Sequence, residues 1–165
     1  MWTAYINLSS AYNNSTQYLT SKVILEKARK LSPLVDDFAM FWNNLGVAYR
    51  GIGEDGEAIK KYTKAIKLDR QLVEAYVNLL ELYLKGNKKA GEQLKKAEDK
   101  LGLDSSSINV YWGLGEEYFR TRQWDEAKGE YQKVIAIDPT NGEARDRLVA
   151  LETLRQEMMR LSNQP

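Results

Sequence analysis

The sequence predicts an all-α chain of stacked helix–turn–helix units, and three observations carry that prediction. First, one apolar stripe recurs, with an aromatic, then Leu three residues on, usually a small residue, and a second aromatic. Trp42-Leu45-Gly46-Tyr49 and Tyr111-Leu114-Gly115-Tyr118 are the clearest copies. Tyr76-Leu79-Leu80-Tyr83 is looser, and Tyr5-Leu8-Ser9-Tyr12 opens the chain in the same way. Second, the anchor aromatics stand at 5, 42, 76 and 111, and a fixed spacing of roughly 34 residues signals a repeat architecture. Third, each stripe is followed by a second small-and-apolar set: Ser21, Leu25 and Ala28 in one unit, Ala58, Tyr62 and Ala65 in the next, and Ala127, Tyr131 and Val134 in the last.

The elements follow in order. Four units are expected at about 2–35, 39–72, 73–107 and 108–141, with a last helix at about 142–161, all in a single domain spanning 1–165. Residues three and four apart share a helix face, so Trp42, Leu45 and Tyr49 form one buried stripe. Gly46 and Gly115, without side chains, let the paired helix approach, and Ala58, Ala65 and Ala127 do so from the other side. Arg50-Gly51-Ile52-Gly53 and Gly86-Asn87 read as turns that tolerate a left-handed backbone. Pro33 and Pro139 stop the chain between units. In the third unit Leu80 replaces the small residue, and if Ala90 begins the second-helix packing, the inner turn is two residues short. The stretch from Leu101 to Ser107 is then longer than usual, with an altered helix angle expected there. Asp36, Asp37 and Phe38 lengthen the join between the first two units; neither stretch reads as a domain linker. Thr140 with Glu143 has the spacing of a capping box for the last helix.

This pattern resembles the tetratricopeptide repeat across nearly the whole chain. The resemblance implies a right-handed α-solenoid of helix–turn–helix units closed by a capping helix. It also implies that the first helices of successive units line a concave groove used for reversible protein or peptide binding.

Composition fits a helical domain. Charged residues make up 28% of the chain and balance at +1, which gives no electrostatic case for nucleic acid or membrane surfaces. No apolar run approaches the roughly 20 residues that span a bilayer. The start has no signal-peptide pattern. A chain without cysteine forms no disulfide and fits a reducing compartment, so a cytoplasmic setting is favoured unless the chain is a fragment of an exported or membrane protein. The first repeat begins at once with no room for a cap, which leaves a whole chain and a piece of a longer one both open. Disorder is expected only at Ser162–Pro165.

The chain also lacks histidine, so thiol nucleophiles, imidazole bases and most transition-metal sites are excluded. No enzyme activity and no cofactor are expected. The acidic residues mostly sit beside Lys and Arg, as in Glu54-Asp55 with Lys60-Lys61, the pattern of a solvated helix face. Gly51-Ile-Gly-Glu-Asp-Gly56 matches a dinucleotide fingerprint by letter, but it follows a helix instead of a strand and reads as the turn inside a repeat. Three glycosylation-like triplets at Asn7, Asn13 and Asn14 are incidental.

Groove residues follow from the resemblance. The first unit gives Ile6, Asn7 and Ser10; the second gives Asn43, Asn44, Val47 and Arg50. The third gives Val77, Asn78, Glu81 and Lys85, with Glu74 at the entrance. The fourth gives Trp112, Gly113, Glu116, Phe119 and Arg120, with Asn109 at its entrance. Asn7, Asn44 and Asn78 hold one position in three units, a ladder of amides that suits a peptide backbone or simply the usual residue of the family there. Trp112 and Phe119, seven residues apart, suit an apolar anchor or packing against the last helix near Leu148 or Leu151. Some family members clamp the acidic tail of heat-shock chaperones with two Lys, two Asn and an Arg. Here Asn78 matches the middle Asn, but Asn43, Val47, Asn109 and Gly113 stand where the others belong, and the frame one unit earlier fails at Ile6, Ser10 and Glu74. That mechanism is not expected.

The last helix should set Ala144, Leu148, Leu151, Met158 and Leu161 against the fourth unit. Val149, Leu154 and Met159 leave open a weak homo-oligomer or contact with more chain. The expected function is a scaffold that binds a partner peptide in the groove. The alternative is an accessory module that positions a substrate or partner within a larger enzyme or membrane protein.

Overall fold

The computed structural model describes residues 2–162. Among these it contains nine α-helices and no strand: α1 Trp2–Asn14, α2 Tyr18–Leu31, α3 Ala39–Gly51, α4 Asp55–Leu68, α5 Val73–Leu84, α6 Lys88–Glu98, α7 Ile108–Arg120, α8 Trp124–Ile137 and α9 Gly142–Ser162. The fold is the all-α stack of helical repeats that the periodicity predicts. It divides into two compact units, Met1–Leu101 and Gly102–Pro165. In the first, the hairpins α1/α2, α3/α4 and α5/α6 pack in succession. In the second, α7/α8 form one hairpin and α9 packs on α8.

All four hairpins turn in one way. The first helix ends in a left-handed residue, at Thr16, Gly53, Gly86 and Arg122. The next residue's N–H returns to a carbonyl five positions back: Gln17 to Tyr12, Glu54 to Tyr49, Asn87 to Leu82 and Gln123 to Tyr118, at 2.8–3.1 Å. These bonds satisfy carbonyls that a helix end otherwise leaves unpaired. The expected left-handed positions at Gly53 and Gly86 are present; Thr16 and Arg122 do the same work without glycine.

This shared turn corrects two expectations for the third hairpin. Its inner turn is not shortened. Instead α5 has 12 residues and α6 has 11, against 13 and 14 in α3 and α4. The turn sets Leu82, not Tyr83, level with Tyr49 and Tyr118; Leu82 is 1% exposed and Tyr83 is 45% exposed. Asn87 caps α6 by accepting from the Ala90 N–H at 3.2 Å.

The core sits where the stripes meet the second helices. Tyr62, Tyr76 and Tyr131 are fully buried, with Ala58, Ala65, Ala90 and Ala127 beside them. An added Cβ on Gly46 would lie 2.5 Å from the Tyr62 ring, and one on Gly115 would lie 2.7 Å from the Tyr131 ring. In the third hairpin Leu80 stands in place of the small residue and is buried, as is Leu94 of α6. The close glycine approach is made instead by Gly91, where an added Cβ would lie 2.5 Å from the Tyr83 ring.

In α1 the buried face is shifted from the expected stripe. Ile6 and Ser9 are buried, whereas Leu8 is exposed. Between the first two hairpins, a short 3-10 segment at Pro33–Asp37 buries Val35 and offers the Asp36 carbonyl to Trp42 Nε1 at 2.8 Å.

Helix α9 opens on Asn141, whose Oδ1 accepts from the Ala144 N–H at 2.9 Å. The expected capping box at Thr140 is absent, because Thr140 gives both its N–H and its hydroxyl to Asp138. Ala144 and Leu151 are buried, but Met158 and Leu161 are exposed, contrary to expectation. Met158 still borders the fourth unit, across an open cleft that it lines with Arg122, Trp124 and Lys128, so it faces α8 without close packing. Ser162 closes α9, and the rest of the tail expected to be disordered lies outside the described residues. No helix among the described residues is long and apolar enough to cross a membrane.

Candidate functional site

In the first compact unit the expected groove residues sit on α1, α3 and α5, and they fall into two groups. Asn43 and Asn44 are buried at 4% and 5% exposure. The Asn44 amide nitrogen has three acceptors within reach on α1: the Ile6 carbonyl at 3.2 Å, Ser9 Oγ at 3.1 Å and Ser10 Oγ at 2.8 Å. Asn13 of α1 in turn donates to the Asn44 backbone carbonyl at 3.0 Å. Asn44 is therefore a clasp between the first two hairpins, and its amide faces protein instead of a ligand. Ile6 is likewise buried. The expected three-rung ladder is not a row of equivalents, since Asn7 is exposed, Asn44 buried and Asn78 half-buried.

Asn78 donates to Asn43 Oδ1 at 3.0 Å, which links α5 to α3. That bond uses one amide hydrogen and leaves the Asn78 carbonyl oxygen as an acceptor at the half-exposed edge. Val47 and Val77 are half-buried nearby in the sequence of this face, while Lys85 and Glu74 are exposed. Arg50 of α3 and Glu81 of α5 form an ion pair across the same two helices. Each remains about a quarter exposed, so the pair is fixed in place yet reachable.

In the second unit, α7 carries the remaining candidates. Asn109 and Arg120 are exposed; Trp112, Gly113, Glu116 and Phe119 are half-buried. Trp112 packs on Tyr131 with ring centroids 5.5 Å apart, and Phe119 meets Trp124 edge-on at 5.4 Å. The guanidinium of Arg147 from α9 lies 5.0 Å over the Phe119 ring. The same Arg147 grips both Glu116 oxygens, at 2.7 and 2.8 Å, and Tyr131 donates to Glu116 at 2.6 Å. Burial, then Glu116, pushes the Tyr131 hydroxyl well above its usual range, and the Glu116 contact raises Arg147 further. Glu116 is thus the centre of a fixed network instead of a free carboxylate. Phe119 uses one face for internal packing, so the aromatic pair is only in part an open anchor. Arg120 folds back on the buried Glu117 at 2.9 Å.

Sequence reasoning missed Asn13, Glu117 and Arg147. Each acts through a partner on another turn or helix, and a polar residue at an interfacial position has no periodic mark of its own.

The model of the tetratricopeptide repeat matches residues 39–72 and 108–141, the second and fourth repeats. The chain is similar in fold to pilF of Pseudomonas aeruginosa, at 23% identity and a TM-score of 0.57, covering 94% of this chain and 69% of that one. It is also similar to the C-terminal part of a TPR repeat-containing protein from Cytophaga hutchinsonii, at 16% identity and a TM-score of 0.61, covering 95% of this chain and 60% of that one. At such identities the likeness shows the fold alone. No curated protein matches the chain.

Proposed function

This is a tetratricopeptide-repeat chain, and we propose that it is a protein-interaction scaffold holding a partner peptide against the first helices of its repeats. Tetratricopeptide repeats support protein interaction in general. The observation that carries it is the fixed, half-exposed amide of Asn78, held by Asn43, beside the Arg50–Glu81 pair. An amide already positioned loses little freedom on accepting a peptide N–H, and backbone recognition of this kind places few demands on the partner's side chains. Val47 and Val77 supply apolar surface, and Asn7 and Lys85 supply an exposed rim. On α7, the half-buried Trp112 and Phe119 offer a second apolar seat. Asn43 and Asn44 belong to the support, not to the contact surface.

The test begins with capture of partners from source-cell lysate and their reduction to a minimal peptide. That peptide is then titrated calorimetrically against wild type and an Asn78→Ala, Val77→Asp variant whose circular dichroism is unchanged. Loss of about tenfold or more in affinity is expected from removing a central polar contact and an apolar one together. Equal binding by both chains would move the site off the first helices.

A further inference from the structure

We propose that the second helices α4 and α6 form a docking trough for an acidic, Asp- and Glu-rich segment of a partner protein, independent of the first-helix surface above. Two clefts lie between these helices. One, of about 650 Å³, is lined by Lys60, Lys64, Lys67 and Lys89. The other, of about 270 Å³, is lined by Lys67, Arg70, Lys96 and Lys100. They share Thr63, Lys67 and Gln93, so they form one trough. Seven cations line it, and none of its described lining residues is a carboxylate.

The sequence dictates this segregation. Lys60, Lys64 and Lys67 stand at i, i+4 and i+7 along α4, and Lys89 and Lys96 are seven apart along α6, spacings that put each set on one helix face. The chain as a whole is balanced at +1, so the local excess is invisible in the total. Of the carboxylates near α4, Glu57 pairs with Lys60 and Lys61, so Lys60 is already matched by an anion, and Asp69 accepts from the Gln71 N–H at 2.8 Å. Lys64 Nζ sits 3.7 Å over the Trp42 ring of α3, so its charge is already engaged by that aromatic face and the other cations carry the larger share of the field. Cations gathered in a cleft repel one another and focus a positive potential, and an opposing acidic segment relieves both effects.

The floor favours a peptide over a nucleic acid. Leu68, exposed, and Ala97, half-buried, line the trough among the cations and suit apolar side chains set among carboxylates. Tyr76, the aromatic in the lining, is fully buried and offers no platform for stacking a base. Six of the seven cations are lysines, point charges without the planar fork that reads phosphate in two-point fashion.

The test uses the full chain and a fluorescein-labelled dodecapeptide of Asp and Glu with two Leu, followed by anisotropy. Saturable binding is expected, weakening as salt rises from about 50 to about 300 mM because the contacts are partly exposed. Lys67→Glu with Lys96→Glu is expected to weaken it about tenfold or more, and the milder Lys67→Gln, Lys96→Gln pair to weaken it less. Asn78→Ala should leave it unchanged, which separates this site from the first-helix surface. No saturable binding by wild type, or equal binding by folded charge variants, would overturn the proposal. Tighter binding of a single-stranded oligonucleotide of equal charge, lost in the same variants, would also overturn it and assign the trough to nucleic acid.

Discussion

The ring of Tyr62 on α4 lies over Gly46 on α3, so close that a Cβ there would fall 2.5 Å from Cε1. Tyr62 is fully buried and cannot swing aside. Gly46→Ala is expected to destabilise the chain by about 1–3 kcal/mol, the usual cost of overpacking, with Gly115→Ala similar through Tyr131. Gly129, inside α8, has nothing within 4 Å of its would-be Cβ. Gly129→Ala should therefore stabilise by about 1 kcal/mol from helix propensity alone. Urea unfolding of the three variants checks both signs.

The four hairpin turns make a second prediction. Thr16 and Arg122 have φ values of 60° and 63°, at the positions where Gly53 and Gly86 stand. A left-handed backbone costs a residue with a side chain roughly 1–2 kcal/mol, partly offset by the greater freedom that glycine loses on folding. Thr16→Gly and Arg122→Gly should each stabilise by about 0.5–1 kcal/mol, and Gly53→Ala should destabilise by about 1 kcal/mol. Thermal melts of the three variants test this, and a destabilised Arg122→Gly would contradict the account.

Asn44 and Asn78 look alike in the sequence but should behave differently. Asn44→Ala strips a buried network of its donor and leaves acceptors on α1 unpaired, a loss of about 1–3 kcal/mol. Asn78→Ala removes one half-exposed bond and should cost no more than about 1 kcal/mol. Chemical denaturation separates them, and comparable losses would mean that Asn78 is structural as well.

Glu130 of α8 gives a pH signature. Burial raises its carboxyl above the usual 4.5, against the opposing effect of Lys133 at 2.7 Å. The folded state then holds that proton more tightly than the unfolded one. Its contribution to stability falls as pH rises from 4.5 through the folded value, and the penalty persists above it. Glu130→Gln should therefore be more stable than wild type at pH 8, with the difference shrinking toward pH 4. Unfolding at both pH values decides the matter, and a difference that grew in acid would reverse the sign.

The sequence by itself determined the repeat. Trp42, Leu45, Gly46 and Tyr49 reappear about 70 residues later because a stacked hairpin meets the same neighbours each time, so periodic packing leaves a periodic trace. It also determined that Gly46 and Gly115 let a paired helix approach; that the rings of Tyr62 and Tyr131 fill those gaps is seen only in the structure. What the tertiary structure decided is the fate of polar residues that share a repeat position. Asn7, Asn44 and Asn78 have one letter and one place in the sequence pattern, two residues after the aromatic anchor. The first faces solvent, the second clasps α1 and the third stands at an edge, because each repeat has a different neighbour on that side. The charges divide in the same way: a total of +1 is a sum over the chain, and only the placing of α4 beside α6 gathers seven cations around one trough. Periodicity records what a residue meets in every repeat; what it meets in one repeat alone exists only in three dimensions.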